Sequence, residues 1–379
     1  MAKFARRMDI ARPLRGRSLF LFGPRQTGKS TLVAQQFPSA QVYDLLHAPT
    51  YRLLLRSPEA LGEGVNVGTK PIIIDEIQRL PDLLNEVHRL IEKRGLRFLL
   101  TGSSARKLRR GAANLLGGRA WTEHLFPLVF PEIPDFDLLQ YLNRGGLPAM
   151  YQSVEYQRDL AEYVATYLRE EIVAEAAVRN VEAFARFLDA LALANGEELN
   201  FHNVSRECGV PVRTVQNYVE ILEDTLLGFR VPGFVATKKR KPTVRAKLFM
   251  FDVGVAGALA ERGVIRARSE LFGRAFEHWV IQELRAYLGY EHRKERLAYW
   301  RSTSGFEVDC VIGTKLALEV KATTLVDEHD LRGLRVLREE QVVERFALVS
   351  NDPHARVKDG ITLLPWRDFA DKLWAGKLW

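Results

Sequence analysis

Apolar runs that end in chemically distinctive side chains recur along this chain, and their lengths and spacing predict its elements. Leu19 to Phe22 opens into Gly23 to Ser30 and then Thr31-Leu32-Val33, which predicts a strand, a glycine loop and a helix start in that order. Pro71 to Ile74 runs into Asp75-Glu76, and Leu96 to Leu100 runs into Thr101-Gly102-Ser103-Ser104. Unbroken apolar strands of this kind belong to a parallel sheet covered on both faces, with the polar residues delivered to its C-terminal edge. Prolines punctuate the stretch from Pro127 to Pro134. Beyond it, apolar residues at three- and four-residue intervals predict helices over Tyr156–Ala177 and Val181–Ala194. Phe201 to Cys208, a Gly209-Val210-Pro211 turn, and Arg213 to Leu227 with the stripe Val215, Val219, Leu222 and Leu226 predict helix, turn and helix, followed by a candidate strand at Phe229-Arg230-Val231. In the last third Gly305 to Ile312 alternates as a strand does, and after Gly313-Thr314 the run Leu316 to Lys321 is its hairpin partner.

Chemistry enters first at the glycine loop. Gly23-Pro24-Arg25-Gln26-Thr27-Gly28-Lys29-Ser30 matches G-x-x-x-x-G-K-[ST], whose backbone N–H groups, together with the helix N-terminus and Thr31 behind it, face a nucleotide's phosphates. Lys29 reaches the β- and γ-phosphates, and Ser30 is a ligand for Mg²⁺. Asp75 holds the same ion, directly or through water, while Glu76 polarises the attacking water. Ser103 and Ser104 end the third strand, where hydroxyls can sense the γ-phosphate.

These three segments resemble the AAA+ branch of P-loop ATPases, over about the first third of the chain. The resemblance implies ATP and ADP as ligands and Mg²⁺ as cofactor. It also implies homo-oligomeric assembly, hexameric rings being the usual form, with an arginine supplied to the nucleotide by a neighbour. Arg119, in Leu115-Leu116-Gly117-Gly118-Arg119, is the nominated position.

Composition narrows the class. With 379 residues, 47% hydrophobic and 27% charged, the chain can bury substantial cores in two or three domains. Its two cysteines, Cys208 and Cys310, suggest neither a disulfide framework nor a zinc site. The basic start, Met1 to Arg7, is not followed by a secretory apolar segment, and no run approaches the roughly 18 apolar residues of a membrane span, so the expected residence is the cytoplasm without membrane partners. The net charge of +8 favours a polyanionic partner. Part of it is clustered at Arg106-Lys107-Leu108-Arg109-Arg110 and Lys238-Lys239-Arg240-Lys241.

Helix, turn, helix and strand describe a winged helix-turn-helix, whose second helix would present Arg213, Gln216 and Asn217 to base edges, although Glu220, Glu223 and Asp224 follow and repel phosphates. On the C-terminal hairpin, Glu319 and Lys321 are two apart and share a sheet face, which Asp309 on the adjacent strand can also reach. Two carboxylates there form an oxygen-ligand site for Mg²⁺, with Mn²⁺ as an alternative, and Lys321 is placed to orient or deprotonate a water attacking a phosphodiester. The pattern resembles the PD-(D/E)XK nuclease core, read as Asp309, nine intervening residues, then Glu319-Val320-Lys321. Val308 rather than proline precedes Asp309, and the preceding helix Leu271 to Leu284 supplies Glu277.

The expected architecture is therefore a multi-domain α/β protein. It comprises an AAA+ P-loop ATPase domain with a parallel sheet (1–130), a helical lid or linker with a winged helix (131–235), and a restriction-endonuclease-like α/β domain (236–379). Lys247 to Gly254 adds a strand and an Asp-x-Gly turn similar to those of prokaryotic proteins with this arrangement, a family of unknown function. The expected activity is ATP hydrolysis coupled to DNA binding and processing, with Asp309, Glu319 and Lys321 cutting the backbone. The alternative is a non-cleaving ATP-gated switch that binds DNA or protein, and a third, weaker expectation is a chaperone-like remodeler.

Overall fold

The five strands β1 (Ser18–Phe22), β2 (Val42–Asp44), β3 (Ile72–Asp75), β4 (Phe98–Gly102) and β5 (Ala120–His124) form an all-parallel sheet in the order β2-β3-β4-β1-β5. The computed structural model of the chain describes residues 4–63, 70–104, 106, 108, 116–168, 180–267 and 269–379. Strands β1, β3 and β4 are buried along their lengths except at half-buried Asp75, which is what their unbroken apolar runs require. Helix α1 (Lys29–Gln36) follows the glycine loop, and α2 (Leu83–Arg94) buries Leu83, Leu84, Val87 and Leu90 between β3 and β4. Because all strands run one way, the loop after β1, Asp75 and Thr101 share one edge of the sheet. The registers Leu21↔Thr101 and Ile74↔Leu100 set Thr101 between the loop and Asp75.

A second unit contains α3 (Val181–Leu193), α4 (Phe201–Cys208) and α5 (Val212–Asp224), then the antiparallel pair β6 (Gly228–Val231) and β7 (Lys247–Met250), then α6 (Val253–Leu259). Gly209, at φ +65°, ends α4 in a left-handed turn, and Val215, Val219 and Leu222 are buried as the stripe on α5. The expected helix stops short of Leu226, which takes φ +62°. Over Tyr156–Ala177 the structure has an α-helix at Tyr156–Glu162 and wider π-helical turns at Tyr163–Leu168, and the remainder lies outside the described residues. The pairing of β6 with β7 spans the expected boundary at 235/236. A cut there severs a hydrogen-bonded pair, so Lys247 to Met250 belongs with the helices before it. The Asp-x-Gly turn works as a cap: fully buried Asp252 accepts hydrogen bonds from the Gly254 and Val255 N–H groups at the start of α6 and from Gly146 N–H. Gly145 is obligatory beside it, since a Cβ there would lie 2.0 Å from Asp252 Oδ1 at φ +73°.

The third unit is a six-stranded mixed sheet in the order β12-β13-β11-β10-β9-β8, built from β8 (Leu297–Arg301), β9 (Glu307–Ile312), β10 (Leu316–Lys321), β11 (Arg345–Ser350), β12 (Arg356–Lys358) and β13 (Ile361–Pro365). The expected β9–β10 hairpin is antiparallel, and β10, β11 and β13 run parallel. Helices α7 (Glu270–Tyr290) and α9 (Trp366–Trp374) pack on one face and α8 (Arg332–Arg338) on the other, which is why the inner strands are apolar on both sides. Phe229 and Phe249 of the hairpin share a core with Trp279 of α7 and Ala347 of β11, so the second and third units are packed together.

Glu283, fully buried on α7, joins three parts of this core by accepting hydrogen bonds from Phe130 N–H at 3.0 Å and Trp374 Nε1–H at 2.6 Å. Burial pushes its carboxyl up to about 8, against an ordinary value of 4.5, and the two donors only partly offset this. The folded state therefore holds this proton more tightly than the unfolded chain, and the stability it contributes is complete below pH 4.5 and lost as the pH rises through 8. Buried Asp252, at about 6, and Glu277, at about 7, shift the same way. The wild-type melting temperature is expected to fall from pH 5 to pH 9, and less steeply in Glu283→Gln. Parallel slopes in a thermal-melt series would contradict the assignment.

Candidate functional site

The glycine loop closes on itself at the C-terminal edge of β1. Gly28 caps α1 at φ +94°, a conformation that needs glycine. Lys29, 6% exposed, donates to Gly23 O at 2.6 Å and Pro24 O at 3.1 Å, and Thr27 Oγ1 donates to Pro24 O. Arg6 reaches the loop from the start of the chain, donating to Thr27 O and Phe126 O while pairing with buried Glu132.

Beside the loop, Ser30 Oγ donates to Asp75 Oδ2 at 3.2 Å, and Thr101 Oγ1 donates to Asp75 Oδ1. Two hard oxygen donors on adjacent elements, one of them a carboxylate, fit Mg²⁺ in ligand type. Glu76 sits at φ +60° directly after β3, and Gln78 ties it to the third strand by donating to Glu76 Oε2 and to Ser103 Oγ. Burial pushes the Glu76 carboxyl up, Lys29 pulls it partly back, and Asp75 raises it again. A carboxylate with a raised proton affinity near the phosphate loop is suited to take a proton from water.

Arg119 and Ser104 stand away from this chain's own phosphate loop. Arg119 precedes β5 at the N-terminal edge of the sheet, opposite the loop, and pairs with Glu92 of α2. It is not part of this chain's own phosphate pocket, because parallel strands put their two ends on opposite edges. Ser104 turns toward the second unit. Its hydroxyl accepts from Arg106 N–H and donates to Asp224 O, and buried Arg106 pairs with Asp224 Oδ2 at 3.0 Å. The basic cluster at 106–110 is thus not wholly a solvated face, although Lys107, Arg109, Arg110 and Leu115 lie outside the described residues, as do Met1 to Lys3. In the other cluster, Arg240 is held by Glu339 and Glu340 while Lys238, Lys239 and Lys241 are exposed.

Asp224→Ala would strand the Arg106 guanidinium, whose side chain is 5% exposed. The expected loss is about 2–3 kcal/mol of stability, less than for a fully buried pair because one flank of Asp224 meets solvent. A denaturant midpoint unchanged by the substitution would contradict that role.

The C-terminal constellation assembles on the β9–β10 hairpin. The registers Ile312↔Leu316 and Cys310↔Leu318 continue to set Asp309 opposite Glu319, on one face. Asp309 accepts from Val320 N–H at 2.8 Å, and Lys321 Nζ stands 2.5 Å from Glu319 Oε1. Glu277 enters from α7, and burial, then Asp309, pushes it up to about 7. Glu319 is raised well above the usual carboxylate range by burial, then by Asp309, and its Oε2 is buried with no hydrogen-bond partner. That orphaned oxygen and the hard-donor set fit a divalent cation in chemistry. As they stand, however, no three His, Cys, Asp or Glu side chains among the described residues are gathered to hold one. The carboxylates are drawn onto lysines instead, Glu319 onto Lys321 and Glu277 onto Lys247 at 3.1 Å.

Arg6, Gln78, Thr101 and Lys247 therefore belong to these sites without having been singled out in the sequence. Thr101 had a signal, lying two residues before Ser103 at the polar end of the same apolar run. Lys247 had one too, as a lysine opening the strongly apolar Leu248 to Phe251. Arg6 had none.

Residues 15–134 match the family model described as an AAA domain, residues 135–265 a domain of unknown function (DUF8612), and residues 272–369 another (DUF4143). The N-terminal unit is an ATPase domain of the AAA type. The protein Rv2008c of Mycobacterium tuberculosis is 26% identical over 350 residues, covering 89% of this chain and 77% of that protein. MJ1544 of Methanocaldococcus jannaschii is 25% identical over 334 residues, covering 77% and 71%. Among solved structures, the Orc1 protein of Aeropyrum pernix in complex with DNA aligns with 65% of this chain and 86% of its own at 14% identity and a TM-score of 0.24. A STAND protein with a tetratricopeptide repeat sensor, PH0952 from Pyrococcus horikoshii, aligns with 76% and 48% at 18% identity and a TM-score of 0.21. Scores this low establish no shared overall arrangement. No described helix is long and apolar enough to cross a membrane.

Proposed function

We propose that this protein is a cytoplasmic, Mg²⁺-dependent ATPase that binds and processes DNA, its C-terminal unit cutting phosphodiester bonds with a divalent cation. The convergence of Asp309, Glu319 and Lys321 with Glu277, in one chain with an assembled phosphate loop, carries this proposal. At the loop, Lys29 would exchange its carbonyl partners for phosphate oxygens, and Ser30 and Asp75 would hold the ion, with Thr101 orienting Asp75. Glu76, fixed by Gln78, accepts the proton of the attacking water. Ser103 is tied to Glu76 through Gln78, and Ser104 to α5, so nucleotide occupancy has a route to the second unit. Arg119 can serve only a neighbouring subunit's nucleotide, in a homo-oligomeric ring.

At the C-terminal site, a cation on Asp309 and Glu319 would supply positive charge to the phosphodiester. Lys321 orients the water. Exposed Arg213 and Asn217, half-buried Gln216 and the Lys238–Lys241 loop offer DNA contacts. The test is incubation with linear, single-stranded and branched DNA, Mg²⁺ or Mn²⁺, and ATP. DNA left intact in every combination would overturn cleavage. The pairing of Glu319 and Glu277 with lysines favours a second reading, a non-cleaving ATP-gated switch whose nuclease-like domain only binds DNA or protein. Cation-dependent shortening of DNA separates the two.

A further inference from the structure

Lys247 opens β7, in the second unit, yet its side chain ends among acids of the third. Its ammonium lies 3.1 Å from Glu277 Oε1 and 2.7 Å from Glu307 Oε1, over the Tyr299 ring at 5.2 Å, and the residue is 5% exposed. Burial alone pulls such a group toward neutrality, but Glu277, Asp309 and Glu307 outweigh it and hold the proton on. The backbone beneath is firmly placed. Segment 196–199 pairs with the other edge of β7, and Pro232 to Thr243 hydrogen-bonds along β8, with Tyr299 N–H donating to Pro232 O and Thr243 N–H to Arg301 O. The lysine is therefore a fixed fitting of the interface whose flexible side chain alone can swing.

The neighbouring geometry gives that swing a meaning. Glu319 Oε2 is buried without a partner, Asp309 faces both Glu277 and Glu319 electrostatically, and Lys247 is the ion-pair partner of Glu277. A doubly charged cation a few ångströms from a buried ammonium is repelled by it, in surroundings that screen charge far less than water does. The two cations cannot share Glu277 comfortably.

We propose that Lys247 is a built-in counter-ion that competes with the divalent cation for Glu277, so that the cleavage site loads only as the Lys247 side chain leaves. This rests on the cation-dependent cleavage site proposed above. Lys247 is a positioning residue, acting through the carboxylates rather than on the phosphodiester. Whatever draws the Lys247 side chain off Glu277 would set the cation affinity of a site in a different unit.

The experiment is Mn²⁺ binding to the full chain, followed by electron paramagnetic resonance of free Mn²⁺, in wild type, Lys247→Met and Glu319→Gln, with Lys29→Ala in each background to remove the nucleotide-site contribution. Lys247→Met is expected to bind Mn²⁺ about tenfold more tightly. Equal or weaker binding in Lys247→Met, with binding lost in Glu319→Gln, overturns the competition while leaving the cation site standing. No binding in any of them removes the cation site and the competition together. Should Lys247→Met not fold, wild type decides the matter: Mn²⁺ should raise acetylation of Lys247 by an amine-reactive reagent, read by peptide mass spectrometry. Unchanged labelling at saturating Mn²⁺ overturns the proposal.

Discussion

Lys29→Ala is expected to reduce ATP turnover by about a thousandfold or more, and to weaken ATP binding as well. Its ammonium is buried against Gly23 O and Pro24 O, so the loop is already shaped around a positive charge that the phosphates would meet. Alanine removes that charge and leaves two carbonyls facing each other across the gap. Loss of a preorganised electrostatic group costs about 10²–10³ in rate, and loss of ground-state phosphate binding adds to it. Glu76→Gln separates the two effects. Its amide can still reach Gln78 but cannot accept a proton, so ATP should bind and remain unhydrolysed. Phosphate release and binding of a fluorescent ATP analogue measure the pair. Turnover persisting in both variants would refute the site.

Asp309→Asn should abolish DNA cleavage, by about 10³-fold or more, with ATPase activity retained. Asn can keep the hydrogen bond from Val320 N–H, so the hairpin is not asked to rearrange. What it lacks is the charge facing Glu277 and Glu319, on which cation binding depends. Glu319→Gln should behave alike, and Lys321→Ala should lose cleavage while keeping cation affinity. Gel assays against wild type give the readout. Wild type and Asp309→Asn degrading DNA equally would place any cleavage outside this site.

Much of both sites was legible because each acid sits on, or directly after, a strongly apolar strand. Asp75 and Glu76 follow Ile72 to Ile74, and such a strand has one place to go, the interior of a parallel sheet with its polar end at the working edge. The shared face of Asp309 and Glu319 is set by a three-residue turn, Gly313 to Lys315, which brings Ile312 opposite Leu316 and hence Asp309 opposite Glu319. Arg119, nominated as a neighbour's arginine, precedes β5 at the edge away from this chain's own loop, a placement compatible with that role. The pairing across 235/236 was not legible, since the loop between β6 and β7 reads as a linker until its two strands are seen to pair.

By itself, then, the sequence determined the phosphate loop, the strand-borne acids and the carboxylate hairpin, since periodicity and turn chemistry act between near neighbours. Only the tertiary structure decided that Arg6 braces the loop, that Arg106 is buried on Asp224, and that Lys247 from one unit neutralises Glu277 of another. Charge pairing is governed by distance in space and by exclusion of water, and neither quantity is written in the spacing of residues along a chain.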